Sequence, residues 1–212
     1  MVPSDAFEHS GFRAWVKSDD FPSGVRASFV CGEVFLEMSP ESIESHNKAR
    51  QEVTITIGQI ARDEGLGKVY MDGALVTNEA AGLSTEPDLT FASWACLDAG
   101  RLRFVRKAGR DDDFVEIEGT PDLVVEIVSD SSAKKDLVHL RDAYRRAGIA
   151  EYWIVDARGT DLRFEILLLD QGDYRLSAPA GSPQKSSVFA RTFTLSRARN
   201  RAGRFAYRLT HR

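Results

Sequence analysis

Residues 121–157 read PDLVVEIVSDSSAKKDLVHLRDAYRRAGIAEYWIVDA. The run Leu123 to Val128 is short, apolar and rich in valine. Such a run predicts a strand buried on both faces. Ser129-Asp130-Ser131-Ser132 then supplies side chains able to cap a helix N-terminus. Leu137, Leu140, Tyr144 and Ala147 recur at three- and four-residue spacing, the buried stripe of that helix, and Gly148 ends it. Glu151 to Asp156, with Tyr152, Trp153, Ile154 and Val155, is a second strand. Strand, helix and strand in this order predict an α/β (α+β) domain, a mixed central sheet flanked by helices.

One residue in this block is out of place for a plain core. Side chains alternate along a strand, so Asp122, Val124, Glu126 and Val128 share a face. Glu126 thus sits mid-strand among apolar neighbours, where a lone carboxylate carries a heavy desolvation cost. It needs an arginine, another cation or a metal, unless the strand is an edge open to water.

The chain upstream reads as further strands and one long helix. Arg26 to Met38 alternates as a strand pair with Gly32 at the turn. Ala49, Val53, Ile57 and Ile60 give helical periodicity within a helix expected over 43–63. Lys68 to Ala74 is a strand, and Pro87-Asp88-Leu89-Thr90-Phe91 begins another. Asp88 alone reads as a turn residue capping a strand start. Paired with Glu126 on a neighbouring strand it would form a hard oxygen site suited to Mg²⁺ or Mn²⁺. Arg101 to Arg106 and Phe114 to Glu118 read as a hairpin or as a linking helix and loop. Leu162 to Leu169 and Tyr174 to Ala178 read as a closing antiparallel pair. The organisation expected is a lead-in over 1–25, one domain over 26–180, and a basic extension over 181–212.

Composition excludes several classes. The 212 residues include only Cys31 and Cys96, far apart and without metal-ligand spacing, as expected of reduced thiols in a cytoplasmic protein. No apolar run approaches ~18 residues, so no membrane span is expected. The net charge of −4 conceals an asymmetry: seven arginines and no acid lie between Arg191 and Arg212. Local positive potential of this kind permits nucleic-acid contact, although an arginine-rich segment is often only a solvated face.

The block from Glu126 to Asp156 resembles the bacterial family of putative restriction endonucleases, within the PD-(D/E)XK nuclease superfamily. Glu126, Ser129, Asp136, Tyr144, Gly148, Glu151, Tyr152, Trp153, Val155 and Asp156 carry the likeness. Gly32-Glu33, Met38-Ser39-Pro40, His46 and Pro87-Asp88 follow the family's order upstream. The resemblance implies a restriction-endonuclease-like core and a metal-dependent endonuclease acting on DNA. Asp88 and Glu126 would bind Mg²⁺ or Mn²⁺, with the Ile127 carbonyl able to add a ligand. His46 or Glu33 would complete the site from the N-terminal side. A homodimer would suit a double-strand cut made with one site per chain.

The sequence departs from that pattern at the helper lysine. The superfamily places it two residues after the glutamate, here Val128, and this family often places it on the next helix, here Leu140. Lys135, Lys134 and Arg141 are the substitutes in reach. At about 100° per residue both lysines stand more than a quarter turn from position 140. The competing expectation is therefore a catalytically weak or inactive nuclease-fold protein that binds nucleic acid or a protein partner.

Overall fold

The computed structural model describes residues 2–212 and is mixed α+β, with two large mixed sheets and few helices. The first sheet contains β1 (Arg26–Val30), β2 (Glu33–Glu37), β4 (Leu75–Asn78), β5 (Leu83–Thr85), β7 (Leu102–Arg106) and β8 (Phe114–Gly119) in the order β2-β1-β5-β4-β8-β7. The second contains β3 (Gly67–Met71), β6 (Leu89–Ser93), β9 (Leu123–Ile127), β10 (Glu151–Asp156), β11 (Arg163–Asp170) and β12 (Asp173–Leu176) in the order β12-β11-β10-β9-β6-β3. Residues 184–211 form a third, three-stranded sheet from β13 (Gln184–Ser186), β14 (Arg191–Arg199) and β15 (Phe205–His211). The expectation of one central sheet therefore becomes two. β4 and β5 are only four and three residues long, too short to display a period.

β9 and β10 pair in parallel, as their link through a helix requires. Their two faces bury different partners. Leu123, Val125, Ile127, Trp153 and Val155 pack on Val53, Ile57 and Ile60 of α2 (Lys48–Asp63) and on Phe193, Leu195, Tyr207 and Leu209 of the third sheet. Val124, Val128 and Ile154 pack on Leu140, Ala143 and Tyr144. The tail thus shares the main core. The N-terminal residues are also packed: Phe12 and Trp15 of α1 (His9–Val16) bury against Ala27 and Phe29.

The β1–β2 turn holds Cys31 and Gly32 at φ +56° and +88°, the pair of left-handed residues that a two-residue hairpin needs. Two helices begin irregularly. A π turn over Ile43–Asn47 precedes α2, with Asn47 N–H donating to the Ser42 carbonyl at 2.9 Å. A second π turn over Lys135–Leu140 precedes α4 (Arg141–Arg146). Both face the same region between the sheets. Among the described residues no helix is long and apolar enough to cross a membrane.

Candidate active site

The strand ladder brings the two acids together. Leu89 pairs with Val125 in the antiparallel β6–β9 register, so one step further Asp88 stands opposite Glu126. Asp88 Oδ2 accepts the Ile127 N–H at 2.7 Å, where β6 has ended and cannot supply a carbonyl. Both carboxylates line a cavity of about 20 Å³, room for one water-sized guest.

The acids differ in their electrostatics. Burial pushes the Asp88 carboxyl up, but the His46 imidazole, the Ile127 N–H and the Arg50 guanidinium outweigh it, and the net shift is downward. His46 Nε2 lies 3.4 Å from Asp88 Oδ2, and Arg50 donates to Oδ1 at 3.1 Å. Burial lowers the His46 imidazole, yet Asp88 and Glu41 reverse the shift, so it favours its charged form. Glu126 goes the other way. Burial, with Asp136 and Asp88 nearby, pushes its carboxyl well above the usual carboxylate range. The Tyr144 hydroxyl donates to Glu126 Oε1 at 2.5 Å.

The second π turn supplies what Val128 and Leu140 do not. Lys135 opens a turn closed by i→i+5 bonds, five residues before Leu140. Lys135 is 8% exposed, lines the cavity, and bonds Glu37 of β2. Burial lowers the Lys135 ammonium, but Asp136, Glu126 and Glu37 outweigh it and raise it. Its neighbour Lys134 is exposed and does not line the cavity. Arg141 is also exposed and donates to the Tyr174 carbonyl at 3.1 Å. Glu33 lies beside the β1–β2 turn, 3.8 Å from His139, outside the cavity; Glu37, four residues on and on the same strand face, lines it.

Asp136 is the further acid that the reading of the sequence gave no role. It is 1% exposed and stands on the cavity wall. Burial pushes its carboxyl up to about 7, against the opposing pull of Lys135 and Ser132. Ser132 donates to Oδ2, while Oδ1 has no hydrogen-bond partner among the described residues. The signal was present: Asp136, Leu140 and Tyr144 follow at four-residue spacing on the buried stripe.

One corner of the site has the geometry to hold a cation. Glu41, His46 and Asp88 offer ligand atoms within 4.8 Å of one another. Arg50 and Arg26 already neutralise that corner, through Glu41 at 2.7 and 2.8 Å and through Asp72. On the other side stand Glu126 and Asp136, whose Oδ1 accepts no hydrogen bond among the described residues and has Lys135 Nζ 3.8 Å away. The cavity wall carries Glu37, Glu86, Asp88, Glu126 and Asp136 against Arg26, His46 and Lys135. Among the described residues Glu41, His46 and Asp88 are the set whose donor atoms lie close enough together to share an ion, and Glu126 and Asp136 add carboxylates to the wall of the same cavity.

Comparison with known proteins identifies the fold and the family. A crystal structure of a putative nuclease belonging to DUF820 from Anabaena variabilis superposes with a TM-score of 0.57 at 14% identity, over 77% of this chain and 83% of that one. At such identity the likeness shows the fold. No curated protein shows significant similarity to the chain. The model of the Uma2 family, described as "Putative restriction endonuclease", matches residues 11–198, and the chain belongs to that family.

Proposed function

We propose that the chain is a metal-dependent endonuclease that hydrolyses DNA phosphodiester bonds, with Asp88 and Glu126 holding Mg²⁺ or Mn²⁺. The observation that carries this reading is the convergence of Asp88, Glu126, Asp136 and Lys135 on one buried cavity. A divalent ion held there would polarise the phosphodiester and lower the pKa of a bound water.

The chain's own groups have separable tasks. Tyr144 fixes the Glu126 carboxylate through its hydroxyl. His46 and Arg50 hold Asp88 ionised from the opposite side. Lys135 is kept charged, so it acts as a donor and positive charge toward a phosphate oxygen or a water and not as the base. His46, tied to Asp88 and favouring its protonated form, orients that acid. Two copies would be needed for a double-strand cut with one site each.

The test is nicking of supercoiled plasmid with Mg²⁺ or Mn²⁺. Cleavage by the wild type, abolished by EDTA and in both Asp88→Ala and Glu126→Ala, is the expected outcome. A wild type that binds duplex DNA and never cuts it with either ion would reject the reading in favour of a nuclease fold retained for binding.

A further inference from the structure

The β14–β15 hairpin carries charge that the cavity does not use. Its register runs from Phe193↔His211 to Arg199↔Phe205. The inner face, with Phe193, Leu195, Tyr207 and Leu209, is buried in the main core. The outer face presents Thr194, Ser196, Ala198, Ala206, Arg208 and Thr210, all exposed, with neither an acid nor a large apolar side chain. No acid follows Asp173 in the chain.

The arginines divide into two groups. Arg191 binds Glu64, Arg197 donates to the carbonyls of Ala157, Gly159 and Thr160, and Arg199 donates to the Gly203 carbonyl. These three hold the sheet together. Arg201, Arg204 and Arg208 are exposed, and among the described residues their side chains make no ion pair and no hydrogen bond. Desolvating and ordering a long arginine gains nothing by itself, so this second group is free to meet an external anion.

The hairpin tip is anchored at the cavity end of α2. Phe205 N–H donates to Glu44 Oε2 at 2.7 Å, and Lys48 Nζ donates to the Phe205 carbonyl at 3.0 Å. Glu44 and Lys48 flank His46, which lines the cavity. Arg201 and Arg204 of the tip therefore stand beside the turn that reaches Asp88, and Arg208, opposite Ser196, continues the free charge along β15.

We propose that this hairpin is a clamp for duplex DNA, in which Arg201, Arg204 and Arg208 bind backbone phosphates beside the bond that enters the cavity. The inference rests on the cavity being a phosphodiester site. A protein partner is disfavoured, because the outer face lacks the aromatic and apolar anchors that interface cores use. A single strand is disfavoured as well, since binding of that kind uses open aromatic platforms. The one aromatic ring at the tip, Phe205, is covered by the guanidinium groups of Arg197 and Arg199 at 4.4 and 4.6 Å.

The experiment measures binding of the full chain to a labelled duplex of about 30 base pairs in EDTA, from about 50 to 200 mM salt. The variant R201Q/R204Q/R208Q should bind at least ~10-fold more weakly, and the slope of log K against log salt should shrink by about 0.9 for each phosphate that the arginines no longer neutralise. A control pair on β7 and its loop, R103Q/R110Q, should change neither quantity. Wild-type affinity and slope in the triple variant would overturn the clamp, as would a wild type with no affinity for duplex or an equal loss with single-stranded probe. The two readings fail separately. Nicking abolished by Asp88→Ala, with duplex binding indifferent to the triple variant, removes the clamp alone. Duplex binding abolished in the triple variant, with no nicking by the wild type in Mg²⁺ or Mn²⁺, removes the nuclease assignment and leaves the clamp.

Discussion

Lys135 and Leu140 begin and end the π turn after β9, and their side chains bury against different partners. The lysine reaches Glu37 in the cavity while the leucine packs with Val128 and Tyr144. The positive charge is thus delivered from five residues upstream. Lys135→Met should slow nicking by ~10²–10⁴-fold, the usual worth of a positioned proton donor or acceptor. The exchange variant Lys135→Leu/Leu140→Lys should recover none of that loss, because position 140 is buried in the apolar cluster with Val128 and Tyr144. Plasmid cleavage rates at saturating Mg²⁺ decide the matter. An exchange variant that nicks faster than Lys135→Met would show that position 140 can serve the cavity.

The Tyr144 hydroxyl is buried, and its proton goes to Glu126 Oε1 at 2.5 Å. Tyr144→Phe keeps the ring, which packs edge-on to Tyr152 at 5.0 Å, and removes only the donor. Leaving a buried acceptor short of a partner costs about 1–3 kcal/mol. Urea unfolding of the metal-free chain should show that loss, and nicking should fall with it. A variant of wild-type stability but reduced nicking would assign the hydroxyl to positioning alone.

The parts of this arrangement differ in how far the residues reveal them. Glu126 was legible because a carboxylate amid valines and isoleucines on a buried strand contradicts the pattern around it. Asp88 was legible only beside Glu126, since Pro-Asp at a strand start is ordinary turn chemistry. Lys135 was named together with Lys134 and Arg141, and only the structure separates it from them, because a π turn leaves no hydrophobic signature in the sequence. Glu37 and Arg26 come from strands far away in sequence, and only pairing brings them to the cavity. The third sheet was different. Phe193 and Leu195, like Tyr207 and Leu209, alternate with exposed residues, but the arginines between them give the segment the look of a solvated tail.

Acid should loosen the tie between the N-terminal helix and the first sheet. Glu116 of β8 is a buried carboxylate bonded by Arg13 Nε at 2.7 Å and Lys17 Nζ at 2.6 Å, which ties α1 to the first sheet. Burial pushes this carboxyl up, but the bonds from Arg13 and Lys17 outweigh it and hold it below its ordinary 4.5. A carboxyl lowered in the folded state stabilises fully above its unfolded value, and the contribution fades as pH falls through the folded value. Stability should therefore drop below about pH 4.5 more steeply in the wild type than in Glu116→Gln. At neutral pH that variant should be weaker by about 1–3 kcal/mol. Urea midpoints measured from pH 7 to pH 3.5 test both signs. Parallel curves would separate the helix anchor from the acid response.

Asp136 sets stability against function. Its carboxylate shares a small buried cavity with Glu126, Asp88 and Glu37, and Oδ1 has no hydrogen-bond partner among the described residues. In the metal-free chain burial makes that negative charge costly, against the pull of Lys135 and Ser132. Asp136→Asn keeps the volume, retains an acceptor for the Ser132 hydroxyl and removes the buried charge. The metal-free variant should gain ~0.5–2 kcal/mol in urea unfolding, the usual size of a relieved functional strain. The same change should cost roughly 10–100-fold in metal affinity or nicking, as expected when a carboxylate that holds or orients a metal loses its charge. Added Mn²⁺ should stabilise the wild type more than the variant, because binding to the folded state alone raises stability with ligand concentration. Lower stability in the metal-free variant, or equal stabilisation of both proteins by Mn²⁺, would mean that Asp136 serves the fold through Ser132 and leaves the cation to Asp88 and Glu126.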